Sequence, residues 1–350
     1  MANLQAGRGY KFVYPGTNKV LRDFDNKYKG SMTMRAALVQ SRNVPAIRTL
    51  QEVGLKRATD FVNGLGISQK DPYTLQSGIA LYISPLQVSA AYAAFANGGT
   101  YYKPYYISSI TTQDGNVKQF NPQGKRAMSR ATAYMITDML KGVFDSSEQG
   151  SATAAKLDGV NQAGKTGTTD YPSGTGHSGA MDSWMAGYTK NYSIAVWTGY
   201  DHPMQSPGLS DSGTQSAILL YKDLMSYLDS QNHASNWAMP DTVEAVRVNG
   251  KRQLVIKDSK WAAEYAANVD YDDGNDDNDH SSSSSSSSHS ESNGSESSSD
   301  NNHHSGESSS SSAASSASSA ADSSSASSAS TSSAPSTAPA PNSQPANDGQ

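Results

Sequence analysis

Gln162-Ala163-Gly164-Lys165-Thr166-Gly167-Thr168-Thr169 sets one cation beside residues of little or no side-chain bulk and follows it with hydroxyls at alternate positions. That pattern suits an edge strand against whose backbone a ligand can lie, because glycine removes the side chain that would hold it away. Residues two apart in an extended strand face the same way. Thr166 and Thr168 are therefore expected to present hydroxyls together on one side, with Lys165 pointing to the other. Such a strand could pair with an extended acyl peptide through its main chain and hold a carboxylate with its hydroxyls. Taken alone, Lys165-Thr166-Gly167 also reads as an ordinary turn. Far upstream, Ser41-Arg42-Asn43 is followed by Val44-Pro45-Ala46-Ile47 and a helical pattern ending at Gly54. Alone it too reads as a polar turn between helices, with Arg42 facing solvent and without a role.

In this order the two motifs resemble the second and third active-site signatures of penicillin-binding proteins, Ser-x-Asn and Lys-Thr-Gly. Further stretches carry the likeness: Ala36 to Leu38 before Ser41, Ala91-Tyr92-Ala93-Ala94-Phe95-Ala96-Asn97-Gly98-Gly99, Asp182-Ser183-Trp184-Met185-Ala186-Gly187-Tyr188 and Ala195-Val196-Trp197-Thr198-Gly199-Tyr200. Over roughly residues 1 to 265 the chain resembles the transpeptidase domain of bifunctional class A penicillin-binding proteins. The resemblance implies an α+β, β-lactamase/transpeptidase-like fold, an antiparallel sheet flanked by helices. It also implies a D,D-transpeptidase that cross-links peptidoglycan stem peptides ending in D-Ala-D-Ala through a serine acyl-enzyme, with β-lactams as ligands of the intact protein. No cofactor and no metal are implied. By resemblance, Ser41 would relay a proton to the leaving nitrogen, held by Lys165, and Asn43 would bond the substrate amide carbonyl. Thr166 and Thr168, on the substrate-binding strand that includes Gly167, would contact the terminal carboxylate. The Thr168 amide would be one of two oxyanion donors.

The family's first signature, Ser-x-x-Lys, has no counterpart, because no lysine in the 350 residues has a serine three positions before it; the nearest approaches are Thr100 before Lys103 and Thr153 before Lys156. That signature supplies the nucleophile, whose loss costs on the order of 10⁶ in rate. Residues 1 to 15 read like the region just after it, so the chain is expected to be a C-terminal portion of the domain, inactive alone. The membrane anchor and glycosyltransferase domain would lie upstream, placing the protein at the extracellular face of the membrane or in the cell wall. The upstream part would be a partner, and apolar surface that it covers would be exposed here. A rival reading is a non-enzymatic peptide-binding module on a serine-rich stalk, since holding a D-alanyl carboxylate needs only Lys165, Thr166 and Thr168.

The elements that must position these groups are legible in outline. Thr33 is a plausible N-cap for a short helix through Gln40. Pro45 suits the first turn of the next helix, and Val44, Ile47, Leu50 and Val53 recur at helical spacing. Ser41 and Asn43 then fall in a short connection between two anchored helices. Another helix fits 55 to 65. Ser84-Pro85-Leu86-Gln87 is a capping box that opens a helix of small and aromatic residues ending at Gly98-Gly99, expected to pack on the helix with the absent serine. A hairpin turns at Asp114-Gly115, and Ser129 caps a helix ending near Phe144. Gly150-Ser151-Ala152-Thr153 precedes strands at 161–168, 183–188 and 192–200 and a helix at 216–228. His177 lies in a loop beside the cleft mouth that reads as mobile.

Residues 1–240 form the transpeptidase portion, and 241–268 a small hairpin appendage turning at Asn249-Gly250. From 269 to 350 an Asp-rich and then Ser/Ala/Pro-rich tail has too little apolar surface to order itself. A net charge of −5 gives no reason to expect nucleic-acid binding, and the chain has no cysteine for disulfides or zinc-thiolate sites. The six aspartates from Asp270 to Asp279 lack the glutamate that closes a calcium loop. There is neither a signal peptide nor an apolar run long enough to span a membrane.

Overall fold

The computed structural model describes residues 12–271, save 16, 173, 249–250 and 266–269. They belong to one structural unit, Met1–Ser281; the second, Ser282–Gln350, lies outside the described residues. β1 (Phe12–Val13) and β2 (Val20–Leu21) pair antiparallel ahead of three helices, α1 (Met34–Val39), α2 (Asn43–Val53) and α3 (Leu55–Gly64). α4 (Pro85–Ala96) leads to β3 (Thr100–Tyr101), the hairpin β4 (Ser109–Thr111) and β5 (Val117–Gln119), and β6 (Lys125–Arg126), which returns to pair with β3. α5 (Arg130–Lys141) precedes the central strands β7 (Ala163–Asp170), β8 (Ala180–Tyr188) and β9 (Ser193–Gly199). α6 (Asp211–Gln231), the hairpin β10 (Val243–Val248) and β11 (Lys251–Ile256), α7 (Lys260–Tyr265) and β12 (Asp270–Tyr271) complete the order.

Local chemistry sets the helix starts. The Thr33 hydroxyl accepts from the Ala36 amide at 3.1 Å, and Ser84 and Gln87 form the expected box with Pro85 in the first turn of α4. Each such cap is worth about 1 kcal/mol. α6 starts at Asp211, earlier than Ser216, because the Ser210 hydroxyl takes the Gly213 amide and tolerates a glycine that reads as loop.

β7, β8 and β9 form an antiparallel sheet in that order, with Lys165 opposite Ala186 and Thr168 opposite Ser183. Helices cover both faces. Tyr188 packs on Tyr92 and Phe95 of α4, with ring centroids 6.0 and 6.4 Å apart. Gly187, on the opposite face by strand alternation, admits Tyr221 of α6: a Cβ there would fall 2.6 Å from the ring. α4 thus lies on the sheet itself. Tyr188, Tyr221, Met185 and Met225 are fully buried in this core, and the Tyr188 and Thr137 hydroxyls satisfy each other at 2.9 Å.

α5 is the common support. Arg35 of α1 pairs with Asp138 of α5 and donates to its carbonyl at 2.9 Å, while Arg252 of β11 reaches the same carboxylate at 3.2 Å. Val243, Ala245 and Leu254 of the C-terminal hairpin pack on Ala131, Tyr134 and Met135, so the expected appendage is seated on α5. β12 pairs antiparallel with β10, Val246 opposite Tyr271 and Arg247 opposite Asp270. The rest of the tail, and the Asn249-Gly250 turn, lie outside the described residues.

Candidate active site

Ser41 ends α1 in an unusual way. Its amide bonds the Leu38 carbonyl at 3.1 Å and the Arg42 amide bonds the Ala37 carbonyl at 2.9 Å, the paired bonds of a Schellman motif. The position between them demands a left-handed residue, normally glycine, and Ser41 takes it with φ 54°. Holding a serine there costs roughly 1–2 kcal/mol. What the chain gains is a hydroxyl at a fixed point between two helices.

That hydroxyl meets Lys165. The ammonium donates to Ser41 Oγ at 2.7 Å and to the Thr166 carbonyl at 2.8 Å, and lies 3.5 Å from Thr166 Oγ1. The alternation rule placed Lys165 and Thr166 on opposite sides, and the structure corrects this: the long lysyl arm curls past its own backbone. Burial brings the Lys165 pKa from 10.5 down to about 8, since poorly solvated surroundings disfavour the charged form. A lysine so tuned can give up or regain a proton near neutral pH.

β7 pairs only with β8 among the described residues, so its other edge is open, and Thr168 is exposed on it. Two glycines keep the strand close to β8. A Cβ on Gly164 would lie 2.6 Å from the Ala186 carbonyl oxygen, and one on Gly167 would lie 3.2 Å from Trp184 Cβ. The Thr166 hydroxyl is 2.7 Å from that of Ser151, a residue that the sequence marked only as part of the segment before the strand.

Asn43 is the first residue of α2, and its Nδ2 donates to the Arg22 carbonyl at 3.0 Å. Arg42 is not solvent-facing: it is 3% exposed and bonded to Asp23 at 3.0 Å, to Asp25 at 2.8 Å and to the Lys27 carbonyl. The segment holding these carboxylates reads as loop in the sequence, so nothing there links them to Arg42. His177 stacks on Tyr171 with centroids 4.4 Å apart and planes 10° from parallel, and Tyr171 is in turn tied to the Pro203 carbonyl at 2.9 Å. Trp184 and Trp197 lie against each other across β8 and β9, as sheet residues.

Chemically the cluster joins a hydroxyl, a proton-labile ammonium and an open strand edge. With Lys165 donating to Oγ, the Ser41 proton is free to be donated elsewhere, and the lysine can replace it. A cavity of about 950 Å³ lies elsewhere, behind α1, lined by Arg35, Gln40, Asp138 and Arg252 among others. It includes neither Ser41 nor Lys165. Among the described residues no cluster of side chains could hold a metal ion.

Residues 9–226 match the family model of the penicillin binding protein transpeptidase domain. Penicillin-binding protein 1A of Streptococcus pneumoniae is 42% identical over 260 residues, covering 69% of this chain and 36% of that protein. Penicillin-binding protein 1A/1B of Bacillus subtilis is 40% identical over 238 residues, covering 64% and 26%. The chain thus spans about a third of the length of such curated relatives. Among solved structures, the 2.6 Å crystal structure of penicillin-binding protein 1A from Haemophilus influenzae superposes with a TM-score of 0.62 at 21% identity, covering 73% of this chain and 44% of that one. At that identity the likeness bears on the fold, a penicillin-binding transpeptidase domain of β-lactamase-like type.

Proposed function

The chain belongs to the penicillin-binding protein transpeptidase family, and we propose that it contributes the Ser-x-Asn and Lys-Thr-Gly walls of a peptidoglycan D,D-transpeptidase site. The observation that carries the reading is the 2.7 Å contact between Lys165 Nζ and Ser41 Oγ. In the reaction a serine hydroxyl loses its proton as its oxygen forms an ester with the penultimate D-alanine carbonyl, the bond to the terminal D-alanine nitrogen breaks, and that nitrogen gains a proton. Ser41 gives this proton and takes one from Lys165, and the proton released by the attacking hydroxyl restores Lys165. Asn43 orients the peptide carbonyl, Thr166 and Thr168 hold the terminal carboxylate, and the Thr168 amide is one oxyanion donor, of a kind worth about 10² to 10³ in rate.

The nucleophile is not among this chain's motifs, and the chain alone is inactive. Its action belongs to the outer face of the membrane or the cell wall, where stem peptides are. Among the described residues no helix is long and apolar enough to cross a membrane. Incubation of the chain with a fluorescent penicillin, followed by a denaturing gel, tests this: no labelled band is expected, and a labelled band would mean that one of its serines is the nucleophile.

A second reading, a stem-peptide binding module without catalysis, is favoured by the open edge of β7 with Thr168 exposed on it. The two separate on Ser41→Ala. Peptide affinity unchanged by that substitution supports binding alone.

A further inference from the structure

The helix that carries Asn43 begins without a cap of its own: Arg42, at the N-cap, makes no side-chain bond to the first turn. The missing acceptor comes from a distant segment. Asp23 Oδ1 accepts the Asn43 amide at 2.6 Å and the Val44 amide at 3.3 Å, while its Oδ2 accepts from Arg42 at 3.0 Å. Arg42 bonds Asp25 on its other arm, the Arg22 carbonyl takes Asn43 Nδ2, and the Phe24 ring lies 5.5 Å from the Arg42 guanidinium carbon. Asp23 and Arg42 are both buried, at 5% and 3% exposure.

A capping carboxylate normally sits at the helix start itself, and a buried arginine fork is held to two anions only by rigid surroundings. Here both devices converge on the two residues that follow a left-handed serine. Ser41 has no freedom to shift without breaking the bonds made by Arg42 and Asn43 on its C-terminal side.

We propose that Asp23 and Arg42 are positioning residues of the transfer site, a buried clamp that sets where Ser41 presents its hydroxyl to Lys165. The clamp rests on the reading of Ser41 and Lys165 as the proton-relay pair, and touches neither substrate nor reacting atoms itself. It makes the middle residue of Ser-Arg-Asn a structural requirement of this chain: lysine keeps the charge but cannot bridge two carboxylates with a planar fork.

The test uses the full chain with Asp23→Asn, Asp23→Ala, Arg42→Lys and Arg42→Met. Asp23→Asn keeps an acceptor for the two amides, so hydrogen exchange at Asn43 and Val44 should stay near wild type. Asp23→Ala should raise exchange on the order of tenfold, as loss of a buried hydrogen bond does. The decisive readout is the Lys165 side-chain resonance together with the crystallographic distance from Ser41 Oγ to Lys165 Nζ. In Asp23→Ala and Arg42→Met both should change, with the contact opening beyond hydrogen-bond reach, and Arg42→Lys should restore them only in part. A folded Asp23→Ala or Arg42→Met chain with the Lys165 signal and the contact unaltered overturns the clamp. If the larger truncations fail to fold, Arg42→Lys decides: an Arg42→Lys chain with an unmoved Lys165 signal also overturns it. Failure of the transpeptidase reading looks different, because the clamp variants would still move Lys165 while no variant altered stem-peptide binding or cross-linking.

Discussion

Lys165 Nζ donates to Ser41 Oγ across 2.7 Å of space and 124 positions of sequence. Each partner stands on backbone that its surroundings constrain. Ser41 closes a Schellman motif, and Lys165 stands on a strand whose glycines press it to β8. α5 ties the two together, bonded to α1 through Arg35 and Asp138 and to β8 through Thr137 and Tyr188. A proton relay needs reacting atoms held close without reorganisation. This arrangement meets that need before any ligand arrives.

The left-handed backbone at Ser41 carries a cost that substitution can expose. Ser41→Gly should be more stable than Ser41→Ala by about 1 kcal/mol, because both lose the hydroxyl and only glycine relieves the strain. Denaturant unfolding of the two variants measures the difference. Equal stabilities would show that the backbone at this position is not strained.

Lys165 should leave a mark on the pH dependence of stability. Its pKa is lowered from 10.5 to about 8 by burial, so between those values the unfolded chain binds more protons than the folded one. Stability due to this group therefore rises with pH through that window, and the cost of burying the cation is fully present below it. Relative to Lys165→Met, the wild-type chain should gain stability from pH 8 to pH 10.5. A stability difference that stays flat with pH would mean that the ammonium is solvated.

The glycines of the strand are not equivalent. Gly164→Ala places a methyl 2.6 Å from a backbone oxygen and 2.9 Å from the Gly187 Cα, neither of which can yield without parting β7 from β8. A loss of about 1–3 kcal/mol is expected, the usual range for overpacking. Gly167→Ala meets only Trp184 Cβ at 3.2 Å, and a shift of a few tenths of an ångström relieves it. Thermal melts of both variants check the order, and a Gly167→Ala loss as large as that of Gly164→Ala would contradict it.

Leu220, Leu224 and Tyr227 share one face of α6 and are 48%, 48% and 65% exposed. Such a stripe favours association. Leu220→Gln with Leu224→Gln should reduce light scattering at high concentration while altering stability by no more than about 0.5 kcal/mol, as surface changes usually do. Unchanged scattering would remove the stripe as the cause.

Much of the site was legible because its groups lie in short local signals: Thr33, Ser84 and Ser129 cap helices where hydroxyl chemistry requires, and the glycine-flanked lysine forms a strand. The family likeness joined Ser41 to Lys165, which no local rule does. What stayed hidden depends on long-range burial. Arg42 read as a surface cation because the Asp23 and Asp25 carboxylates sit in a segment without periodicity, and only the fold brings them to it. The strand-alternation rule failed at Lys165 for a similar reason, since it orients Cβ atoms and says nothing of where a four-carbon arm ends.

Titration of the folded chain with an acyl peptide ending in D-Ala-D-Ala, alongside Lys165→Met and a Thr166→Val/Thr168→Val double variant, tests the central claim most directly. Saturable binding is expected, weakened in each variant by on the order of tenfold or more, the loss expected for a hydrogen bond to a charged group. A folded wild-type chain without affinity, or an affinity indifferent to all three side chains, would contradict it.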